Sequence, residues 1–302
     1  MGICLFVAVF GVADALIQGG MLGDLALMCP EFTQSFLAGM AASGALTSAL
    51  RLFTEAVFTN IDTGLRKGAI LFLSISTIFE FLCIFLYAFV FTKLPIVKHY
   101  RRKAALEGSQ TVSSDLFAAG VQTDLSEKLV NGNLDRLSNK ELLFQNLDYA
   151  LDLFLIFVLT LSIFPGFLYE NTGQHQLGSW YPLVLVATFN VWDLISRYIP
   201  LIQCLKLESR KGILILVIMR FLLIPAFYFT AKYGDQGWMI VLVSVLGLTN
   251  GYLAVCVLMV APKGYKGPEQ NALGNLLVFF LLGGIFLGAA LDWLWLIGNG
   301  SF

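Results

Sequence analysis

Asp193 and Arg197 stand four residues apart inside the apolar stretch LVLVATFNVWDLISRYIPLI. Helical spacing sets their carboxylate and guanidinium on one face, one turn apart. The stretch is long enough to cross a bilayer, where a lone charge costs about 2.5–3.5 kcal/mol on insertion scales. Charges at that depth usually face a bundle interior or a water-filled path. Two readings stay open: an internal ion pair that locks helices together, or a polar substrate site. Asn190, three residues before Asp193, extends the face into a stripe of amide, carboxylate and guanidinium. Such a stripe suits a hydroxylated ligand, because the carboxylate accepts from hydroxyls and Arg donates in a fixed fork.

The same logic applies near the chain start. GVADALIQGGMLGD places Asp14 and Gln18 four apart on one face. Gln offers a donor and an acceptor together, which suits the edge of an amide or a nucleobase. Gly11, Gly19, Gly20 and Gly23 read as helix-packing positions, or as places where backbone approaches a ligand. Asp24 is expected near an interface, solvated. Arg51 and Glu55 form an i,i+4 pair at the end of another apolar run, expected as a local ion pair. Glu80 lies mid-run with no local partner; it either meets Arg51 or another helix, or takes part in proton coupling. Arg220, in VIMRFLLIP, is expected to pair across helices or to line a cavity. Asn250-Gly251-Tyr252 interrupts a further run, where Gly permits close contact and Asn250 can bond across helices.

These residues need membrane helices to position them, and the composition supplies them. Apolar residues make up 58% of 302 and charged residues 13%, against about 25% charged in a soluble globular chain. Mean hydropathy is +0.79. The net charge of −1 gives no global field for nucleic acid. The five cysteines lie in or beside apolar runs without metal-ligand spacing and read as small packing residues. His99 and His175 are expected in loops, so catalytic and metal sites are expected to be absent, as are cofactors.

Eight spans of about 20 residues are expected, near 2–28, 34–58, 68–91, 149–169, 179–203, 210–231, 237–261 and 270–298. Lysine and arginine placement orients them: thirteen lie on the side of the long 92–147 loop and three opposite, so that loop is expected in the cytoplasm. The chain divides into a partial N-terminal lobe of three spans (1–91), a largely disordered cytoplasmic loop (92–147) and a C-terminal lobe of five spans (148–302). Ser138-Asn-Lys-Glu141 reads as a capping box opening the helix into the fourth span. Pro165 and Pro225 are expected to kink their spans. Asn299-Gly-Ser301 matches a glycosylation pattern on the outer side. Entry into the membrane without a basic flank predicts an N-terminally shortened chain.

Four stretches carry a family resemblance: ALIQGGMLGDLA, FNVWDLISR, TNGYLAV and APKGYKGPEQNALGN. In this order, with a long loop between the third and fourth spans, the chain resembles the equilibrative nucleoside transporters, most closely the plant members. The resemblance covers essentially the whole chain and matches family helices four to eleven. It implies an all-α integral membrane bundle with major-facilitator-like lobes around a central cavity. It implies transport of nucleosides such as adenosine and uridine, or nucleobases, by alternating access, facilitative or proton-coupled, without covalent chemistry. Carried over by position, Gln18 contacts the nucleobase, while Asp193 and Arg197 hold the ribose hydroxyls with Asn190 in support. Asp14, Glu80 and Arg220 are candidates for coupling or for the cavity wall. The plasma membrane is the expected residence, ahead of a vacuolar membrane. The alternative is a non-transporting shortened polypeptide that associates with a full-length transporter or is degraded. A membrane enzyme lacks any nucleophile–base or metal constellation in this sequence.

Overall fold

The computed structural model describes residues 2–26, 28, 30–58, 64–103, 105–106, 137–170, 177–178, 180–233, 236–265 and 268–294. Helices are the only regular elements among them, as a bilayer-spanning chain requires when each backbone group must bond within its own segment. They are α1 (Gly2–Ala26), α2 (Pro30–Phe58), α3 (Gly64–Phe85), α4 (95–103), α5 (Asn139–Gln145), α6 (Leu147–Leu161), α7 (Gly166–Glu170), α8 (Trp180–Ser196), α9 (Arg210–Met219), α10 (Leu223–Tyr233), α11 (Gln236–Val260) and α12 (Pro268–Leu294).

Seven segments of described helix are long and apolar enough to cross a membrane. They match seven of the eight expected spans. The eighth, expected over 179–203, is shorter: α8 has 17 residues and passes into 3₁₀ turns at Ile199–Leu201 and Gln203–Leu205. Pro200 explains the stop, since it lacks an N–H and disfavours helical geometry in the residue before it. Pro225 acts in the same way on the next span. It cannot donate to the carbonyl of Phe221, and the span is broken there by a 3₁₀ turn, Arg220–Leu222, between α9 and α10.

The capping box forms as expected, with Glu141 N–H donating to Ser138 Oγ and Ser138 N–H to Glu141 Oε2. The expected loop from 92 begins as helix instead: a 3₁₀ turn over Phe91–Lys93 leads into α4, which carries His99. Of the loop expected to be largely disordered over 92–147, residues 107–136 lie outside the described residues, as do His175, Cys29 and the Asn299 pattern. The cysteines depart from the packing expectation, because Cys4, Cys83 and Cys204 are exposed and only Cys256 of those described is buried.

The core sits where α6, α8, α11 and α12 meet. One buried cluster joins Leu22 and Leu37 to Leu153, Ile156, Leu253 and Leu277. A second gathers Phe167, Tyr181, Phe189, Phe227 and Met239. α8 and α11 come closest at Gly247 and Gly251, where an added Cβ would run into Phe189 O and Asp193 O respectively. Small residues let membrane helices touch backbone to backbone, and here that contact holds α11 directly against the turn bearing Asp193. α1 packs on α12, and α2 on α8. The outer faces of α1 and α3 carry exposed Phe6, Phe10, Leu73 and Phe81, surface that suits lipid.

Candidate functional site

Asp193 and Arg197 are both buried, 4% and 7% exposed. Arg197 Nε and Nη2 both donate to Asp193 Oδ2, at 3.1 and 2.9 Å. Its third nitrogen, Nη1, donates to the Leu37 carbonyl on α2. The buried amide of Gln34, also on α2, donates to the Arg197 carbonyl at 3.0 Å. The pair therefore ties α8 to α2 as well as to itself.

The other carboxylate oxygen leads into a polar network across the core. Asn250 Nδ2 on α11 donates to Asp193 Oδ1 at 2.8 Å. Thr160 Oγ1 on α6 is 2.8 Å from Asn250 Oδ1 and equally close to the Ile156 carbonyl, so its one proton serves one of the two. Arg220 Nη2 donates to Thr160 Oγ1 at 2.9 Å, and Arg220 Nε to Thr249 Oγ1 at 2.9 Å. Two guanidinium groups thus flank a single carboxylate through a run of neutral donors and acceptors. Nearly every polar atom in it is satisfied, which low-dielectric burial demands.

Next to this network lies a cavity of about 400 Å³. Its polar wall comes from Ser43, Thr47, Ser48 and Arg51 on α2 and Asn190 on α8; Phe72 and Phe164 supply aromatic walls. Asn190 Nδ2 donates to Ser48 Oγ at 2.7 Å. Gly44 leaves room for Asn190, whose Oδ1 lies 2.9 Å from where a Cβ would stand. Arg51 and Glu55 approach to 3.8 Å, the expected local pair.

The structure brings Asn190, Asp193, Arg197 and Arg220 into one region, with Asn190 alone of them lining the cavity. Asp193 and Arg197 sit behind it, bonded to each other and to their neighbours. Gln18 and Asp14 are not brought there. Gln18 Nε2 donates to Asp14 Oδ2 at 2.8 Å on α1. Glu80 is exposed on α3. Asp24, expected to be solvated, is half-exposed and pairs with Arg101 at 3.3 Å. Sequence reasoning missed Thr160, Thr249 and Gln34, and also Asp152. That residue is fully buried on α6, and neither carboxyl oxygen has a hydrogen-bond partner among the described residues. Its signal was an aspartate at 152 inside LDYALDLFLIF, one turn after Asp148.

At the ends of the helices the charges are ordinary surface pairs. Lys263 Nζ donates to Glu208 Oε1 at 2.6 Å, and Lys206 lies at 3.4 Å from the same oxygen. Chiefly the hydrogen bond from Lys263 holds the Glu208 carboxyl below its usual value, and the bond to Glu208 raises Lys263. The Ser138 backbone N–H likewise lowers Glu141.

Membrane-length apolar helices around a solute-sized cavity, with paired charges buried beside it, define an all-α polytopic integral membrane protein. Comparison with known proteins narrows the class. The profile of the nucleoside transporter family matches residues 4–297. Equilibrative nucleotide transporter 3 of Arabidopsis thaliana is 70% identical over 301 residues, covering 99% of this chain and 72% of the relative. Equilibrative nucleotide transporter 6 of the same plant is 69% identical, covering 99% and 71%. The more distant equilibrative nucleotide transporter 1 is 31% identical over 296 residues. The chain belongs to the nucleoside transporter family, whose members are transporters and not enzymes. Nucleosides or nucleotides are the substrate class that this membership supports.

Proposed function

We propose that the chain moves nucleosides such as adenosine and uridine across a membrane by alternating access, through a site at Asn190, Asp193 and Arg197. The observation that carries this reading is the position of Asn190. It lines the cavity; Asp193 follows it one turn on in α8, and Arg197 stands in the turn just past the end of that helix. Arg197 spends one nitrogen on a carbonyl of α2, so parting α2 from α8 frees that donor for another acceptor. Ribose hydroxyls then supply replacement acceptors, and the Asp193 carboxylate takes their protons in hydrogen bonds. Gln18 is assigned to the nucleobase in a state in which the Asp14–Gln18 face of α1 has turned toward α8. In this mechanism a lobe of residues 1–91 rocks against one of residues 148–302, joined by a cytoplasmic loop over 92–147. The plasma membrane is the proposed location.

Uptake of labelled adenosine and uridine by this chain in nucleoside-uptake-deficient cells tests the proposal. Saturable uptake above vector control supports it, and background uptake sinks it. A proton ionophore separates facilitative from proton-coupled transport. Loss of uptake under ionophore would implicate Asp14 or Glu80, the coupling candidates.

A second reading, a non-transporting polypeptide that associates with a full-length transporter, is favoured by exposed Asp14 on α1 and Glu80 on α3. Carboxylates facing lipid are costly, and protein partners would relieve them. Co-purification with a tagged full-length relative, without uptake by the chain alone, would establish it.

A further inference from the structure

The donors and acceptors of the cavity can be counted group by group. Ser43 Oγ donates to the Met40 carbonyl and Thr47 Oγ1 to the Ser43 carbonyl, both at 2.7 Å. Each hydroxyl has spent its proton on its own helix and offers the cavity lone pairs only. Asn190 gives one N–H to Ser48 and keeps its other N–H and its carbonyl oxygen, and Ser48, accepting that bond, keeps its O–H as a donor. Arg51 is the one charged residue among those that line the cavity. Its ion-pair partner Glu55 stands at 3.8 Å, beyond hydrogen-bond reach. The guanidinium thus brings a planar fork of donors to a wall otherwise rich in acceptors. The volume of about 400 Å³ falls in the range of small-molecule sites.

We propose that Arg51 reads the nucleobase and selects purines that present two adjacent acceptors, O6 and N7, over adenine. A guanidinium pairs bidentately with O6 and N7 of a 6-oxopurine. In adenine an N6 amino group takes the place of O6, and donor meets donor. The acceptors Ser43 Oγ, Thr47 Oγ1 and Asn190 Oδ1 add to Asp193 and Arg197 in holding the ribose hydroxyls, whose protons need acceptors, and Arg51 adds to the base contact assigned to Gln18. Arg51 becomes a specificity-determining contact of the same cavity, and this rests on the nucleoside-transport reading above.

Paired uptake of labelled inosine and adenosine by the full chain in liposomes tests it, using wild type, Arg51→Met, Arg51→Lys and Glu55→Gln. The inosine-to-adenosine ratio is expected to fall about tenfold in Arg51→Met, within the range of one bidentate base contact. Arg51→Lys, with a point charge and no fork, also lowers it. Glu55→Gln holds it within about twofold of wild type. A ratio kept within about twofold by Arg51→Met overturns the proposal, as does an equal fall in Glu55→Gln. Should Arg51→Met lose both activities, the Arg51→Lys ratio decides by the same criterion. Wild type that carries neither nucleoside removes the transport reading and this one with it; wild type that carries both with an unshifted variant ratio removes only this one.

Discussion

Asn250 on α11 donates its side-chain amide to Asp193 Oδ1 on α8 at 2.8 Å, in a contact where neither residue is more than 4% exposed. Both guanidinium bonds from Arg197 converge on the other oxygen, Oδ2, so Oδ1 depends on Asn250 among the described residues. Asn250→Leu strands that oxygen, while the Thr160 hydroxyl keeps the Ile156 carbonyl as its acceptor. A loss of about 1–3 kcal/mol in stability is expected for a buried polar atom left unpaired. Thermal melting of the detergent-solubilised chain measures it, and an unchanged melting temperature would show that Oδ1 finds another donor.

Arg197→Ala and Asp193→Asn are expected to abolish nucleoside uptake while the protein still reaches the membrane. They should differ in stability. Arg197→Ala leaves a buried carboxylate uncompensated, a change that costs about 3–5 kcal/mol in comparable pairs. Asp193→Asn removes the charge while keeping the shape. Surface biotinylation beside uptake distinguishes lost function from lost protein, and normal uptake by both variants would refute the assigned roles.

Gly251→Ala and Gly39→Ala are predicted to act in opposite directions. A Cβ at Gly251 meets Ser196 Oγ and the Asp193 carbonyl, whereas one at Gly39 meets open space. Overpacking of the first kind costs about 1–3 kcal/mol. Ala in the interior of a helix is favoured over Gly by about 0.5–1 kcal/mol. Melting temperatures of the two variants should lie on either side of wild type.

Ser138→Ala removes the cap of α5 and is expected to cost about 0.5–2 kcal/mol. The effect is local. Faster amide exchange over residues 139–142, with the rates in α11 unaltered, is the expected signature.

The Glu208 pair with Lys263 and Lys206 gives a pH dependence of known sign. The carboxyl titrates below its ordinary value in the folded chain, so its contribution is present above that ordinary value, near pH 4.3. It fades as pH falls through the lowered value. Glu208→Gln should therefore melt lower than wild type at pH 7 and converge with it in strong acid. High salt should narrow the gap, because the pair is exposed. A difference that grows on acidification would contradict this assignment.

Features carried by one helix were legible in the sequence, and features made between helices were not. Seven of the eight spans, the Ser138 cap, the Arg51–Glu55 pair and the shared face of Asn190 and Asp193 follow from local hydropathy and periodicity, whereas the early end of α8 just before Arg197 does not. The identity of Asp193's third donor does not either. It needs α11 to pack on α8 at Gly247 and Gly251, and a glycine pair in a span names no partner helix. Periodicity likewise placed Asp14 beside Gln18 without saying which way the face of α1 would point. Asp152 escaped because its span reads as uniformly apolar, and a single aspartate one turn inside its start resembles an interfacial residue.

Arg197 commits one N–H to the Leu37 carbonyl, so α2 and α8 cannot slide apart on greasy contacts alone. Their separation strands a cationic donor and a peptide oxygen together until water or a passenger's oxygen fills the gap. On the alternating-access mechanism proposed above, reorientation of the empty bundle would be the harder crossing, and a hydroxyl-bearing solute would lower the barrier by the very bonds with which it is held.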